Sequence, residues 1–93
     1  MLKHVVLFKI KEKENVQKGV EALKSMKGKI EKMIDLEVGV DFLCSQRSYD
    51  IALITTHTDK AALELYQAHE AHQPAKKLMH EISTSSVSVD FEI

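Results

Sequence analysis

Residues 2–10 read LKHVVLFKI, a run with a short polar start and a continuous apolar centre. In a β-strand, successive side chains point to opposite faces, which places His4 and Val6 on one face and Val5 and Leu7 on the other. A strand that is apolar on both faces is typical of the centre of a sheet with cover on both sides. The pattern therefore predicts a central strand that carries one histidine on an apolar face.

Hydrophobic periodicity divides the rest of the chain into five further elements. They are a helix over residues 14–33, strands over 35–44 and 49–57, a helix from 59 to 82 interrupted near Pro74, and a strand over 86–92. This order predicts an α+β, ferredoxin-like βαββαβ fold with a four-stranded antiparallel sheet. The first and third strands are apolar on both faces and belong at its centre. We expect residues 1–93 to form a single domain.

In this topology both helices pack on one side of the sheet, so the other side has no cover from the same chain. The central strands present Val5, Leu7, Ala52 and Ile54 there. Leaving such a surface in water costs a small domain much of its stability. We therefore expect a homodimer that packs sheet face against sheet face about a two-fold axis. Gly39, inside the second strand, indicates a bulge or the close approach of another backbone.

Composition and charge argue against several classes of function. The 93 residues are 29% charged with a formal net charge of −1, which is typical of a soluble globular domain. The longest apolar run, residues 5–8, is far shorter than the ~20 residues of a membrane span, and no secretory signal is recognisable. Glutamates interrupt the lysines of the first predicted helix and no aromatic residues are interleaved, so nucleic-acid binding is not expected. The single cysteine, Cys44, predicts a reducing compartment, the cytoplasm.

Five segments resemble the stress-responsive A/B barrel domain family, and together they extend over nearly the whole chain. They are KHVVLFK at 3–9, LEVG at 36–39, SYDIAL at 48–53, YQAHEAH at 66–72 and VDF at 89–91. The opening Lys-His strand combined with the Tyr-x-x-His-x-x-His helix is the most specific part. The resemblance implies a dimeric α+β barrel, in which two ferredoxin-like sheets form a barrel between subunits. It does not imply one activity.

One plant relative in this family is a polyketide cyclase that works without a cofactor. In it, the opening-strand histidine and the last histidine of the helix motif take part in catalysis, and the resemblance places His4 and His72 at these positions. Two positions depart from the pattern. Glu70 stands where the family motif has proline, and Ile51 stands where the cyclase has a further histidine. The resemblance therefore implies a pocket between sheet and helices and leaves the cyclase reaction open.

Independently of the resemblance, histidines and tyrosines supply a candidate site. His4 faces the predicted helices, where a buried imidazole needs a hydrogen-bond partner, and His72 or Tyr66 could reach it. His69 and His72 are three residues apart, so on a continuous helix they share a face. Alternation along the third strand turns Tyr49 toward the helices.

These residues allow two interpretations. In the first, His4 and His72 are catalytic residues for acid–base chemistry, because imidazole titrates near neutrality. Tyr49, Tyr66 and His69 then bind the ligand. In the second, His4 makes a structural hydrogen bond that ties strand to helix, and Tyr49 is a packed aromatic residue.

A metal site is a weaker hypothesis. His69, His72 and His80, with Glu70 or Glu81, offer nitrogen and oxygen donors. Only the first pair has a helical ligand interval, however, and no His-Glu-x-x-His motif is present. We expect neither a metal nor a cofactor.

Three functions are compatible with these observations. The first is a small homodimeric A/B barrel protein, associated by resemblance with stress response, that binds a small apolar or aromatic molecule. The second is a cofactor-independent enzyme, polyketide cyclase-like or monooxygenase-like, that uses His4 and His72 for acid–base chemistry. The third is a dimerisation module with a filled interior. A cavity beside His4 would separate the first two from the third.

Overall fold

A computed structural model describes residues 1–93 as four strands, three α-helices and one short 3-10 turn. The elements in chain order are β1 (Leu2–Ile10), the turn (Lys13–Asn15), α1 (Val16–Lys24), β2 (Met33–Val40), β3 (Ile51–His57), α2 (Lys60–Ala68), α3 (His72–Ile82) and β4 (Ser83–Glu92). All strand pairs are antiparallel, and the order across the sheet is β2-β3-β1-β4. The predicted ferredoxin-like fold, with β1 and β3 at the centre, is confirmed.

The first helix is shorter than predicted. α1 ends at Lys24, and the chain then passes through turns in which Gly28 has φ of +80° and Lys32 has φ of +67°. These left-handed conformations cannot continue an α-helix. Met26 and Ile30 in the turns are nevertheless buried in the same core as α1. The apolar spacing therefore identified the core residues correctly although it placed the end of the helix too late.

The second predicted helix is two helices, and the break comes before Pro74. α2 begins after Asp59, whose carboxylate accepts a hydrogen bond of 2.8 Å from the backbone N–H of Ala62. It ends at Ala68, and the backbone of the next residue, His69, is extended with ψ of 138°. Pro74 lies in the first turn of α3, where a missing N–H leaves no hydrogen bond broken. The expectation that His69 and His72 share one continuous helix is therefore wrong.

The side of the sheet that faces the helices holds the apolar core. Leu53 of β3, Leu23 of α1 and Met79 of α3 are all buried in it. On the same side, His4 of β1 lies opposite Thr55 of β3. The central strands therefore bring polar groups under the helices as well as apolar ones.

The opposite side of the sheet, here called the outer face, has no helix over it. Its apolar residues are Val5, Leu7, Ala52, Ile54, Val87, Val89 and Phe91. Those of β4 share this face because Val89 pairs with Val5 and Val87 pairs with Leu7. Val89 is 56% exposed and Phe91 44% exposed in the single chain. The outer face is thus a broad apolar surface that spans three strands.

No helix combines the length and the apolar character needed to cross a membrane.

Candidate functional site

A cavity of about 770 Å³ lies between the helix side of the sheet and the last two helices. Val6 and Phe8 of β1 and Leu53 of β3 line its apolar part. His4, Tyr66 and His72 line the same cavity, so β1, α2 and α3 each contribute a polar ring. The predicted meeting of His4 and His72 beside one pocket agrees with this geometry.

His4 is held by a carboxylate from the neighbouring strand. Asp90 of β4 lies directly opposite His4 in the antiparallel register, and its carboxylate accepts a hydrogen bond from Nδ1 of the imidazole. His4 is buried, with 7% of its surface exposed, while the Asp90 side chain is half-exposed. With Nδ1 engaged by Asp90, Nε2 is the polar atom of the ring that remains for a further partner. We expected His72 or Tyr66 as the partner of His4, and Asp90 takes that role instead.

Tyr66 lies at the centre of a group of four rings, here called the ring cluster, with His4, His57 and His72. Its ring centroid is 4.5 Å from that of His72, 5.1 Å from that of His57 and 5.9 Å from that of His4. Tyr66 is completely buried, and its hydroxyl has no hydrogen-bond partner. Burial raises the pKa of Tyr66 to about 12. The phenol therefore keeps its proton and has a hydrogen bond to offer.

His72 is the first residue of α3, and this position determines its tautomer. Its Nδ1 donates a hydrogen bond of 3.2 Å to the backbone carbonyl of Gln67 in α2. Burial lowers the pKa of His72; the positive charge of Lys76 and the nearby His4 act in the same direction, while the hydrogen bond to Gln67 opposes them. His72 is therefore neutral at pH 7 and has Nε2 free to accept a proton.

His57 completes the ring cluster from behind the cavity and does not line it. Its Nε2 shares a hydrogen bond of 2.8 Å with the hydroxyl of Thr55, and its Nδ1 has no partner. Burial lowers the pKa of His57; proximity to His4 also lowers it, and Asp90 opposes both. His57 therefore packs against Tyr66 as a neutral ring.

Two of the predicted ligand-binding residues lie outside the cavity. His69 follows the last residue of α2, and its Nδ1 accepts a hydrogen bond of 3.0 Å from the backbone N–H of Ala71. Tyr49 precedes β3, which begins only at Ile51, and its ring lies 6.0 Å from the ammonium of Lys9. Neither residue lines the cavity beside His4. Of the three predicted ligand-binding residues, Tyr66 alone is placed there.

Two residues of the site, Asp90 and His57, were not predicted from the sequence, and strand pairing explains their positions. Asp90 faces His4 because β4 runs antiparallel beside β1, and alternation from Val89 places it on the helix side. His57 shares a face with Ile51 and Leu53 by the same rule. The alternation was visible in the sequence, and the strand register was the missing information.

No group of three or more His, Cys, Asp or Glu side chains is arranged to hold a metal ion. The site is instead rich in proton donors and acceptors. The Tyr66 hydroxyl has no partner, and His4 and His72 each use Nδ1 in a hydrogen bond within the chain, so that Nε2 is the remaining polar atom of both rings. Such a set can bind a carbonyl compound and move a proton on it.

Comparison with known proteins finds relatives over the full length of the chain. An uncharacterised protein of Streptomyces coelicolor is 32% identical over 97 residues, which cover 99% of each chain. A crystal structure of a dimeric protein of unknown function with a ferredoxin-like fold, from Bacteroides fragilis, is 26% identical and has a TM-score of 0.86, covering 99% of this chain and 95% of that one.

A third similar structure is that of an antibiotic biosynthesis monooxygenase. It is 18% identical with a TM-score of 0.78, covering 100% of this chain and 98% of that one, so the likeness is one of fold. The family model described as the stress responsive A/B barrel domain matches residues 2–93. The chain therefore belongs to the stress-responsive A/B barrel domain family.

Proposed function

We propose that the protein binds a small organic molecule, with an apolar or aromatic part and a carbonyl oxygen, in the cavity beside the ring cluster. The observation that carries this proposal is Tyr66, which lines the cavity and whose hydroxyl is buried without a hydrogen-bond partner. An unsatisfied buried donor costs a protein about 1–3 kcal/mol, so such groups call for an explanation. A ligand oxygen that accepts from Tyr66 supplies it, and Val6, Phe8 and Leu53 supply the apolar contact.

A second candidate function is cofactor-independent proton transfer on the bound carbonyl compound. It is favoured by the two imidazoles whose Nδ1 is engaged, His4 by Asp90 and His72 by Gln67. Nε2 of His72 can take a proton from the carbon next to the carbonyl: the C–H bond breaks, an N–H bond forms and the electron pair moves toward the carbonyl oxygen. The Tyr66 hydroxyl then donates to that oxygen as its negative charge grows. The enolate so formed is the nucleophile of an aldol-type cyclisation.

We further propose that the protein acts as a homodimer through the outer face. The face is apolar across three strands, and Val87, Val89 and Phe91 are each more than two-fifths exposed in the single chain. Contiguous apolar surface of this kind is typical of an interface. The Bacteroides fragilis relative with the same fold is dimeric, which supports the proposal.

The cellular setting that we propose is the cytoplasm, with a role in stress response. Cys44 is exposed and unpaired, which suits a reducing compartment. The family is described as stress responsive. Cell fractionation, together with protein levels before and after heat or oxidant treatment, would test both parts.

Binding is tested with a panel of aromatic and polyketide-like carbonyl compounds, screened by thermal melts and calorimetry. Wild type is compared with His72→Gln, which keeps hydrogen-bonding capacity but cannot take up a proton near pH 7. His69→Gln is the matched control, because His69 lies outside the cavity. We expect His72→Gln alone to alter ligand uptake while both variants stay folded. A panel in which no compound raises the Tm of wild type contradicts the proposal.

Catalysis needs a separate assay, because binding does not require proton transfer. A bound ketone is kept in D2O, and exchange of the hydrogens next to its carbonyl is followed by NMR. We expect wild type to accelerate exchange and His72→Gln to lose about a hundredfold or more of that rate. If a compound binds to wild type but its hydrogens exchange no faster than in buffer, the protein binds ligands and the proposed catalysis is wrong.

A further inference from the structure

The charged residues that line the cavity are all basic. Nineteen residues line it, and none is Asp or Glu, although the chain has 14 acidic residues against 13 Lys and Arg. The cationic lining residues are Lys76 and Lys77 of α3, and His80 of the same helix lies beside them. Neither lysine forms an ion pair within the chain. The lining therefore offers two ammonium groups without an ion-pair partner, and the nearby Asp90 carboxylate, which is not part of the lining, is hydrogen-bonded to His4.

Hydroxyl groups line the same cavity. β4 contributes Ser86 and Ser88, which pair with Phe8 and Val6 and therefore share their face of the sheet. Ser83 also lines the cavity, and its Oγ is buried without a hydrogen-bond partner. Hydroxyl donors and ammonium groups around one space are the groups that bind carboxylates and phosphates.

The spacing of residues along α3 places Lys76 close to the ring cluster. Lys76 follows His72 by four residues, so the two side chains are neighbours on one helix face, about 5–6 Å apart at their Cβ atoms. The charge of Lys76 is also one cause of the lowered pKa of His72. A ligand that contacts both residues therefore needs only a short distance between the two groups that they bind.

We propose that the ligand carries an oxyanion, a carboxylate or a phosphate, held between Lys76 and the serine hydroxyls of β4 while its carbonyl end meets Tyr66 and His72. This inference rests on the proposed function and narrows its substrate class to small anionic carbonyl compounds. The anionic group and the carbonyl are separated by about one helical turn. Lys77 adds to the positive field at the opening.

Three probes of one ring system, each with a ketone para to the varied group, test the anion directly: 4-acetylbenzoate, 4-acetylphenyl phosphate and the neutral 4-acetylbenzamide. Calorimetry at low ionic strength measures each Kd on wild type, Lys76→Gln and the matched control Lys18→Gln, whose lysine is exposed on α1 away from the cavity. We expect at least one anion to bind to wild type about tenfold or more tightly than the amide, and added salt to reduce that preference. Lys76→Gln should abolish most of the preference and leave amide binding unchanged, while Lys18→Gln should change neither.

The outcomes separate this inference from the function on which it rests. If the amide binds to wild type as tightly as both anions, the cavity binds ligands but the oxyanion site is wrong. Equal loss of the preference in Lys18→Gln and Lys76→Gln also overturns it, since the effect would then be one of overall charge. If none of the three probes binds, the proposed function fails and the inference fails with it. A carboxylate that binds more tightly than the phosphate, or the reverse, identifies which anion the site takes.

Discussion

Each face of the sheet carries an exception to the usual distribution of side chains. On the helix side, His4 is 7% exposed and His57 is completely buried, whereas on the outer face Val89 is 56% exposed. Buried polar groups and contiguous exposed apolar groups are the informative exceptions to ordinary burial. Each face thus lacks something that the single chain does not supply: a hydrogen-bond acceptor for Tyr66 on one side and an apolar cover on the other.

Both faces are made by the same strands. In β1 the histidine at position 4 lines the cavity, and its neighbour Val5 lies on the outer face. In β4 Asp90 holds His4, while Val89 lies on the opposite side. The same alternation of side chains therefore exposes the apolar surface and positions the site. A substitution at a single strand position can be chosen to change one face alone.

The largest effect is expected from Leu7→Asp on the outer face. Leu7 lies between Ala52 of β3 and Val87 of β4, at the centre of the apolar surface. A carboxylate there would be unpaired in a buried interface, which costs about 3 kcal/mol or more, a loss in dimer affinity of over a hundredfold. Sedimentation should find a monomer, and Gln17→Asp on the exposed side of α1 should remain dimeric. A wild-type chain that is a folded monomer at micromolar concentration would refute the interface.

Acid should lower the stability of the fold through the buried histidines on the helix side of the sheet. Burial lowers the pKa of both His57 and His72, so the unfolded chain takes up protons at a higher pH than the folded one. The free energy of unfolding should therefore be at its full value above pH ~6.5 and should fall as the pH drops, by up to about 1.4 kcal/mol per pH unit for each histidine. Denaturant melts from pH 7.5 to 5 measure it. His57→Gln should flatten the curve, and His80→Gln, on an exposed residue, should not; the same slope in all three proteins would contradict the assignment.

Tyr66→Phe should separate stability from ligand binding. It removes a buried hydroxyl that has no partner, so the variant should be as stable as wild type or more stable by about 1 kcal/mol. Any ligand whose oxygen accepts from Tyr66 should bind about tenfold more weakly. Tyr49→Phe, which changes the tyrosine outside the cavity, is the control. A Tyr66→Phe variant that lost stability and kept full affinity would show that the hydroxyl has a structural role.

Gly39→Val should have the smallest effect on the single chain. A Cβ at Gly39 would meet no atom within 4 Å, and the irregular pairing of β2 lies between Met33 and Asp35 instead. Of the two explanations that we gave for this glycine, the bulge is therefore excluded and the close approach of a partner remains a prediction. We expect unchanged or slightly raised stability below the dimer concentration range, by less than about 1 kcal/mol, with weaker dimerisation. Sedimentation equilibrium measures the dimer affinity. If the variant dimerises as tightly as wild type, Gly39 has no role in the close approach of a partner.

Much of the fold was predictable because alternation reports which strands are central. The apolar pairs Val5 with Leu7 and Ala52 with Ile54 marked β1 and β3, and the structure places both at the centre. The break at His69 was not predictable from Pro74, since proline is tolerated in the first turn of a helix and the chain breaks earlier.

The position of a site residue was predictable only where the pattern within a single strand or helix was enough to place it. Strand alternation placed His4 correctly, and the helix motif placed Tyr66 and His72 at the cavity. Asp90 required the register between two strands that are far apart in the sequence. Tyr49 was misplaced because β3 starts at Ile51, so alternation does not extend to it.

The central claim is that a ligand binds against His4 and His72, and histidine NMR tests it most directly. The five histidines include a built-in control, because His69 lies outside the cavity. In protein with 15N-labelled histidine, we predict that His72 stays neutral as the pH falls through 6.5. A carbonyl ligand should shift the His4 and His72 signals and leave those of His69 in place. Ligand-induced shifts at His69 with none at His4 or His72 would contradict the account.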